Sequence, residues 1–205
     1  MKLLLVRHAR PLAPPGTCYG ASDIPADARH TAQVARAIAR RLPAGADVCY
    51  SPLQRCAALA AAVAVLRPDV HTRLEDRLRE MDFGHWEGRP WREIAQAEVE
   101  AWTADFAHHR PGGGESVALL LARVAPALEQ TRGRASETGR AAVWITHAGV
   151  MRAAMLLARG GAAPPEPRRW PRRVLRFGQS IELVLGRHAR SQPGCADEFE
   201  PFRKR

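Results

Sequence analysis

Short apolar runs alternate along the chain with longer segments in which apolar residues recur at helical spacing. The short runs predict strands at about residues 2–6, 47–50, 69–75, 141–146 and 180–186. The helical spacing predicts helices at about residues 27–42, 52–66, 91–107, 116–132 and 148–160. Strands that alternate with helices favour an α/β protein, a three-layer α/β/α sandwich with a mainly parallel central sheet.

The remaining segments suggest how the chain is organised. A length of 205 residues suits one domain, which we assign to residues 1–190, with a polar tail at 191–205. Residues 78–90 have turn-forming residues and no clear period, so we expect a structured loop there. Ser51 is expected to cap the helix that follows it, with Pro52 at the first helical position.

The charge and the composition of the chain limit the kinds of binding partner and of location that we expect. The net charge is +10, which favours anionic partners. The basic residues are scattered and not interleaved with aromatic ones, which argues against a nucleic-acid-binding surface. No apolar run approaches the ~20 residues of a membrane span, and the run before Arg7 is too short for a signal peptide. The four cysteines match no zinc spacing, so we expect free thiols in a cytoplasmic protein.

Polar residues that could act in catalysis or in ligand binding follow four of the predicted strands. Arg7 and His8 follow the first strand, Arg55 lies just beyond the second, and His147 follows the strand at 141–146; Glu80 lies in the loop beyond the third. Ligands of open α/β sheets bind at the carboxyl ends of the strands. We therefore expect these side chains to meet at one edge of the sheet.

This set of side chains suits attack on a phosphate ester. The guanidinium groups of Arg7 and Arg55 match phosphate oxygens, and a helix N-terminus adds N–H donors. A neutral histidine can act as the nucleophile, and a carboxyl group can protonate the leaving alcohol. Each residue alone also has a structural interpretation: an Arg-His pair after a strand, an Arg on a first helical turn or a loop Glu is usually not catalytic. In Thr-His-Ala-Gly, we expect the bend to require Gly149.

Four motifs in order resemble the histidine phosphatase (phosphoglycerate mutase-like) superfamily. They are LVRHA at 5–9, SPLQR at 51–55, LREMDFGHWEG at 78–88 and ITHAGVMRA at 145–153. The segments CYGASDIP at 18–25 and PGGGES at 111–116 are similar to bacterial small-molecule members, including alpha-ribazole phosphatases. The resemblance covers roughly residues 1–155 and implies a phosphoglycerate mutase-like fold.

The resemblance also implies roles for individual residues. His8 would be the phosphorylated nucleophile, and Arg7, Arg55 and His147 would bind the phosphoryl group. Glu80 would be the proton donor, with Asp82 as the second choice and Glu87 holding the loop in shape. No metal or cofactor is implied, and a phosphate or sulfate ion is expected in the pocket.

The chain departs from the family pattern around the expected pocket. Ala9 and Ala148 stand where glycine is usual, and Arg10-Pro11 replaces Glu-Thr. The asparagine often found later in that loop is absent, so Thr17, Cys18 or Tyr19 would line that wall. His85 is a further candidate for the border of the pocket. These departures affect the identity of the substrate more than the chemistry.

The predicted function is a metal-independent phosphomonoester hydrolase that acts on a small metabolite phosphate through phosphohistidine, with alpha-ribazole phosphate as a candidate. Residues 91–116 would form a lid over small substrates. The alternatives are a phosphoglycerate mutase-like phosphotransferase, a phosphohistidine-protein phosphatase, and a non-catalytic anion- or nucleic-acid-binding protein. A second Arg-His pair at Arg187-His188 is interpreted as coincidence, because only a short polar segment follows it.

Overall fold

The computed structural model describes residues 1–160, 166–173 and 175–186. The strands are β1 (Lys2–Arg7), β2 (Asp47–Tyr50), β3 (His71–Leu74), β4 (Ala142–Thr146) and β5 (Ser180–Val184). The helices are α1 (Ala28–Ala39), α2 (Gln54–Leu66), α3 (Gln96–Ala104), α4 (Val117–Thr138) and α5 (Ala148–Ala158). The polar tail, Cys195 and the second Arg-His pair lie outside the described residues.

One sheet runs through the molecule in the strand order β3-β2-β4-β1-β5. Strands β1 to β4 are parallel, and β5 pairs antiparallel with β1 at the edge. The strands that precede His8 and His147 are direct neighbours, since Arg7 is in register with Thr146. The predicted α/β sandwich with a mainly parallel sheet is confirmed.

Helices cover both faces of the sheet. Alternate residues of the central strands face opposite layers, so Leu5 and Trp144 pack with α4 and α5, whereas Val6 and Ile145 pack with α1 and α2. A sheet covered on both faces explains why β1 and β4 are apolar almost throughout. The described residues include no helix that is long and apolar enough to span a bilayer.

The start of α2 differs from the prediction. Ser51 does not cap the helix, which begins at Gln54. Its first turn is capped from a distant loop, because the carboxylate of Asp23 accepts a hydrogen bond from the Gln54 N–H at 2.7 Å. The Ser51 hydroxyl is therefore free to bond to His147, at 2.8 Å from Nε2.

The segment from 91 to 116 and helix α4 also differ from the helices predicted from the sequence. The predicted helix at 91–107 is a short 3₁₀ turn followed by α3. Helix α4 extends to Thr138, and Gly139 ends it in the left-handed conformation with φ 68°. The register and the neighbours of the catalytic candidates are unaffected by these differences.

Candidate active site

His8 lies just beyond the carboxyl end of β1 and is almost fully buried, with 1% of its surface exposed. Its backbone N–H donates to the carbonyl of Thr146 at 3.0 Å, which fixes it beside β4. Its Nδ1 lies 2.6 Å from the carbonyl oxygen of Ala9. Because a carbonyl can only accept, Nδ1 carries the hydrogen and Nε2 keeps its lone pair. This is the tautomer that a nucleophilic histidine needs.

The surroundings of His8 keep its ring neutral. Burial lowers its pKa from 6.5 to about 3, and the positive charges of Arg55 and Arg7 act in the same direction. The bond to the Ala9 carbonyl opposes this change only in part. The ring is therefore uncharged, and able to attack, throughout the neutral pH range.

His147 and Arg55 form a buried pair next to His8. The rings of His8 and His147 are 5.0 Å apart between centroids. Arg55 Nε donates to His147 Nδ1 at 3.2 Å, so the His147 hydrogen is on Nε2 and is directed at Ser51. Both residues have no exposed surface. Burial is the main reason that the pKa of His147 lies well below its ordinary value, and the neighbouring His8 and Arg55 act in the same direction.

The Arg55 guanidinium is oriented by backbone carbonyls from the loop after β1. Its two terminal nitrogens donate to Ser22 at 2.7 Å and to Gly20 at 2.5 Å. Arg55 lies in the first turn of helix α2, as predicted. A phosphoryl group would offer the same donors stronger acceptors than neutral carbonyl oxygens.

The Arg7 side chain contacts residues near the C-terminal end of the described chain. It donates to the carbonyl of Leu175, and its guanidinium carbon lies 4.0 Å from the ring centroid of Phe177. Burial lowers the pKa of Arg7, while the nearby Tyr19 and Glu80 act in the opposite direction. Its Nε is buried without a hydrogen-bond partner among the described residues. That donor is available to an anion.

Glu80 lies at the N-terminus of α5, facing the same cluster. Its Oε2 accepts from the N–H of Gly149 at 2.9 Å, and its Oε1 accepts from its neighbour Met81 at 3.0 Å. Asp82 is exposed and accepts from Gly84 at 2.8 Å instead. Of the two carboxyl groups, Glu80 is therefore the one held against the N-terminus of α5, and its role as proton donor stays a prediction.

Glycine is required at position 149 because a larger side chain would not fit, and not because the backbone bends there. It lies inside the first turn of α5, where a Cβ would be 2.3 Å from Oε1 of Glu80. We expect Gly149→Ala to displace the Glu80 carboxyl group and to lower kcat by about 10²-fold, since small displacements of a catalytic group cost that much. Steady-state kinetics of the purified variant would measure this.

Gly133→Ala is the matched control for that substitution. Gly133 lies in α4, where an added Cβ meets nothing within 4 Å. This variant should keep full activity and gain up to about 1 kcal/mol of stability from better helix propensity. Full activity in Gly149→Ala would show that Glu80 does not depend on this close contact.

The backbone that carries Glu80 is held from three directions. Thr146 donates from the end of β4 to the carbonyl of Leu78 at 2.8 Å. Arg123 on α4 donates to the carbonyls of Arg77, Arg79 and Glu80 and to the carboxylate of Glu115. Glu75 is ion-paired with Arg77 and Arg73, and the hydrogen bond from Arg77 is the main reason that its pKa falls to about 2. These contacts fix the position of the carboxyl group.

The loop after β1 contributes Tyr19 to the cluster. The Tyr19 ring lies 5.5 Å from the Arg55 guanidinium carbon, and its hydroxyl interacts with Arg7. Cys18 is fully buried with Trp86 and Ile94 in a separate small core, so the expected substrate contact of Cys18 is corrected. Burial raises the pKa of its thiol to about 12.

Three other candidates from the sequence make contacts with neighbouring loops and helices. Thr17 pairs with Pro90 in a short antiparallel bridge, and its contact with a substrate stays a prediction. His85 is largely exposed and contacts Glu98 at 3.2 Å, away from His8. Glu87 accepts bonds from Ala21, Ser22 and Phe83, and so ties the loop after β1 to the Glu80 loop.

The neutral state of both histidines gives the folding stability a defined pH dependence. Below about pH 6.5 the unfolded chain binds protons that folded His8 binds only near pH 3, so stability falls on acidification. Each histidine should contribute a loss of about 1.4 kcal/mol between about pH 7.5 and about pH 5.5. Urea unfolding at the two pH values measures the loss.

The His8→Asn variant isolates one of the two groups. It should show about half of the loss that the two histidines cause together, because only His147 remains. His71→Asn, at an exposed position at the start of β3, is the matched substitution for comparison. An equal loss in wild type and His8→Asn would mean that His8 is not held neutral by the fold.

A cavity of about 200 Å³ adjoins Glu80 and the N-terminus of α5. Its walls include the aromatic side chains of Phe83, Trp102, Phe106 and Trp170, with Arg152 from α5. Trp102 and Phe106 come from the segment predicted to form a lid, and both line the cavity. In the described part of the chain, no three His, Cys, Asp or Glu side chains cluster as ligands of one metal ion.

The profile of the histidine phosphatase superfamily (branch 1) matches residues 3–175. The chain belongs to the histidine phosphatase superfamily. Its match covers the first strand, both histidines and both arginines of the cluster. The resemblance inferred from the four motifs is therefore confirmed.

Relatives in this superfamily have phosphatase names. The chain is 33% identical over 159 residues to phosphoserine phosphatase 1 of Hydrogenobacter thermophilus, covering 75% of this chain and 74% of that protein. It is 39% identical over 83 residues to a metal-independent phosphoserine phosphatase of Arabidopsis thaliana, but the match spans only 38% of this chain and 34% of that protein. These names support the predicted class of enzyme, a phosphoric monoester hydrolase.

The fold is also found among solved phosphatase structures. The mycobacterial glucosyl-3-phosphoglycerate phosphatase Rv2419c in complex with VO3 superposes with a TM-score of 0.73 at 22% identity, covering 88% of this chain and 90% of that one. At this identity the likeness establishes the fold. The predicted phosphoglycerate mutase-like sandwich is confirmed.

Proposed function

We propose that the protein hydrolyses a small phosphomonoester without a metal ion, through a phosphohistidine at His8. The observation that carries this proposal is the state of His8: buried, neutral, with Nδ1 bonded to a carbonyl and Nε2 unprotonated. Arg7, Arg55 and His147 surround it, and Glu80 lies at the edge of the cluster. This set supplies a nucleophile, cationic ligands and a proton donor.

In the first step, Nε2 of His8 attacks phosphorus while the bond from phosphorus to the ester oxygen breaks. The electron pair goes to the leaving oxygen, which takes a proton from the Glu80 carboxyl group. The arginines balance the charge on the phosphoryl oxygens, which would replace the Gly20 and Ser22 carbonyls as acceptors for Arg55. The alcohol then leaves, and phosphohistidine remains.

In the second step, water attacks the phosphoryl group of phosphohistidine. The Glu80 carboxylate accepts the proton from water as the nitrogen–phosphorus bond breaks, and inorganic phosphate is released. Glu80 is protonated again and His8 is neutral again, so both groups return to their starting states. Charge neutralisation that kinases obtain from Mg²⁺ would come here from the guanidinium groups.

Trapping tests this mechanism directly. Rapid acid-free quenching with a ³²P-labelled ester should leave label on the protein, stable to base and labile to acid, and mapped to the peptide that contains His8. Hydrolysis should be unaffected by EDTA. Label on a serine or aspartate, or loss of activity in EDTA that a divalent metal restores, would contradict the proposal.

The proposed phosphatase activity leaves several phosphate esters as candidates for the physiological substrate. The names of the relatives suggest phosphoserine, whereas the segments at 18–25 and 111–116 favour alpha-ribazole phosphate. A panel of metabolite phosphates that contains both would rank them by kcat/KM. Stimulation by a bisphosphate would indicate a mutase, preference for a phosphohistidine protein would indicate a protein phosphatase, and salt-sensitive DNA binding without hydrolysis would indicate a binding protein.

A further inference from the structure

The cavity beside Glu80 is placed where the alcohol part of a phosphoester would lie. Glu80 lines the cavity together with Gly149, whose N–H donates to its carboxylate, and its charge acts on Arg7, so it adjoins both the cavity and the cluster around His8. The proton that Glu80 donates must reach the ester oxygen, which joins the phosphoryl group to the alcohol. An alcohol attached to a phosphoryl group at His8 would therefore extend into this cavity.

The walls of the cavity are aromatic and pack against one another. Trp102 and Phe106 are stacked with centroids 5.7 Å apart, and Phe106 meets Trp170 edge-on at 5.7 Å. Phe83 meets Trp102 edge-on at 6.0 Å. Rings arranged in this way offer faces and edges to a flat apolar group.

Two hydrogen-bond donors on the cavity have no partner. Arg152 is half-buried and makes no hydrogen bond or ion pair with any residue in the described part of the chain, although its charge acts on Arg7. The indole N–H of Trp102 is buried and likewise unpartnered among the described residues. Buried donors are usually satisfied, so the Trp102 indole N–H points to a ligand that brings an acceptor. The half-buried guanidinium of Arg152 adds a positive charge to the same cavity.

We propose that this cavity is the leaving-group subsite and that it takes an aromatic alcohol that bears a hydrogen-bond acceptor or an anionic group and no positive charge. This inference rests on the proposed phosphatase function and specifies its substrate class. Arg152 determines the charge preference and the aromatic walls determine the shape. An alcohol with an ammonium group would meet Arg152 and, in this cavity, find no carboxylate other than Glu80.

Matched esters test the subsite. Wild type should hydrolyse benzyl phosphate with a kcat/KM at least about tenfold above ethyl phosphate. It should also favour 4-carboxybenzyl phosphate over 4-(aminomethyl)benzyl phosphate by at least about tenfold. In Arg152→Gln, the ratio for the two charged esters should fall towards one. The Arg159→Gln control, an exposed arginine at the end of the same helix, should keep the wild-type ratio.

Substitutions in the aromatic side chains test the contribution of the cavity wall separately. Phe106→Leu should lower the ratio of benzyl to ethyl phosphate, and Trp102→Phe tests the indole donor with a ring retained. Hydrolysis of all esters with no benzyl preference, or an unchanged charge ratio in Arg152→Gln, would overturn the subsite while the phosphatase function stands. Absence of both hydrolysis and phosphohistidine would overturn the proposed function and the subsite with it.

Discussion

Replacement of His8 with alanine will lower kcat/KM for an aryl phosphate by about 10⁴-fold or more, because the chemical step loses its nucleophile. No other unprotonated ring nitrogen in the described site is free to replace it, since His147 is bonded through both nitrogens to Arg55 and Ser51. The label in the trapping experiment should disappear together with the activity. Stopped assays with purified protein at high concentration would measure the remaining rate.

His71→Ala is the matched control for this experiment. His71 is exposed at the start of β3, far from the carboxyl ends of the strands. Its removal should change neither activity nor labelling. Retention of substantial turnover and of label by His8→Ala, with the control behaving as wild type, would assign the covalent step to another residue.

Glu80→Gln will lower the hydrolysis of alkyl phosphates by about 10²- to 10⁴-fold, the usual contribution of a general acid. The amide oxygen of glutamine can still accept the Gly149 N–H, so the loop should keep its position. Aryl phosphates with good leaving groups need less protonation, so their loss in the first step should be smaller. The comparison of kcat/KM across esters of graded leaving-group basicity measures the difference.

Asp82→Asn separates the two candidate carboxyl groups. Asp82 is exposed and bonded to Gly84, so its variant should retain the activity on alkyl and aryl esters alike. The opposite pattern, a leaving-group-dependent loss in Asp82→Asn and none in Glu80→Gln, would transfer the acid role to Asp82. Equal losses on alkyl and aryl esters in Glu80→Gln would exclude it as the proton donor.

Local pattern was enough to place the principal residues at one edge of the sheet. The strands before His8 and His147 are apolar on both faces, which predicts central strands, and parallel strands end at a common edge. The positions of Arg7, His8, Arg55, Glu80 and His147 in one cluster follow from that rule and from the four motifs. The order of the strands came from the structure.

Contacts between distant segments could not be predicted in the same way. The cap of α2 comes from Asp23, and Ser51, which has the sequence of a cap, is bonded to His147 instead. Tyr19 and Cys18 are adjacent in the sequence, yet one faces the arginines and the other is buried with Trp86. A loop without periodicity does not indicate which of its side chains turns inward, because tertiary packing decides it.

The central place of β1 in the sheet has a consequence for synthesis of the protein. Leu3 pairs with Ala142 on one side and with Leu183 on the other, so neither edge of β1 is covered until these two residues have been synthesised. A ribosome-bound chain that lacks the later strands would expose a flat apolar strand on both edges, which invites aggregation. Chaperone dependence during biosynthesis, and insolubility of fragments that end before Ala142, are the expected signs.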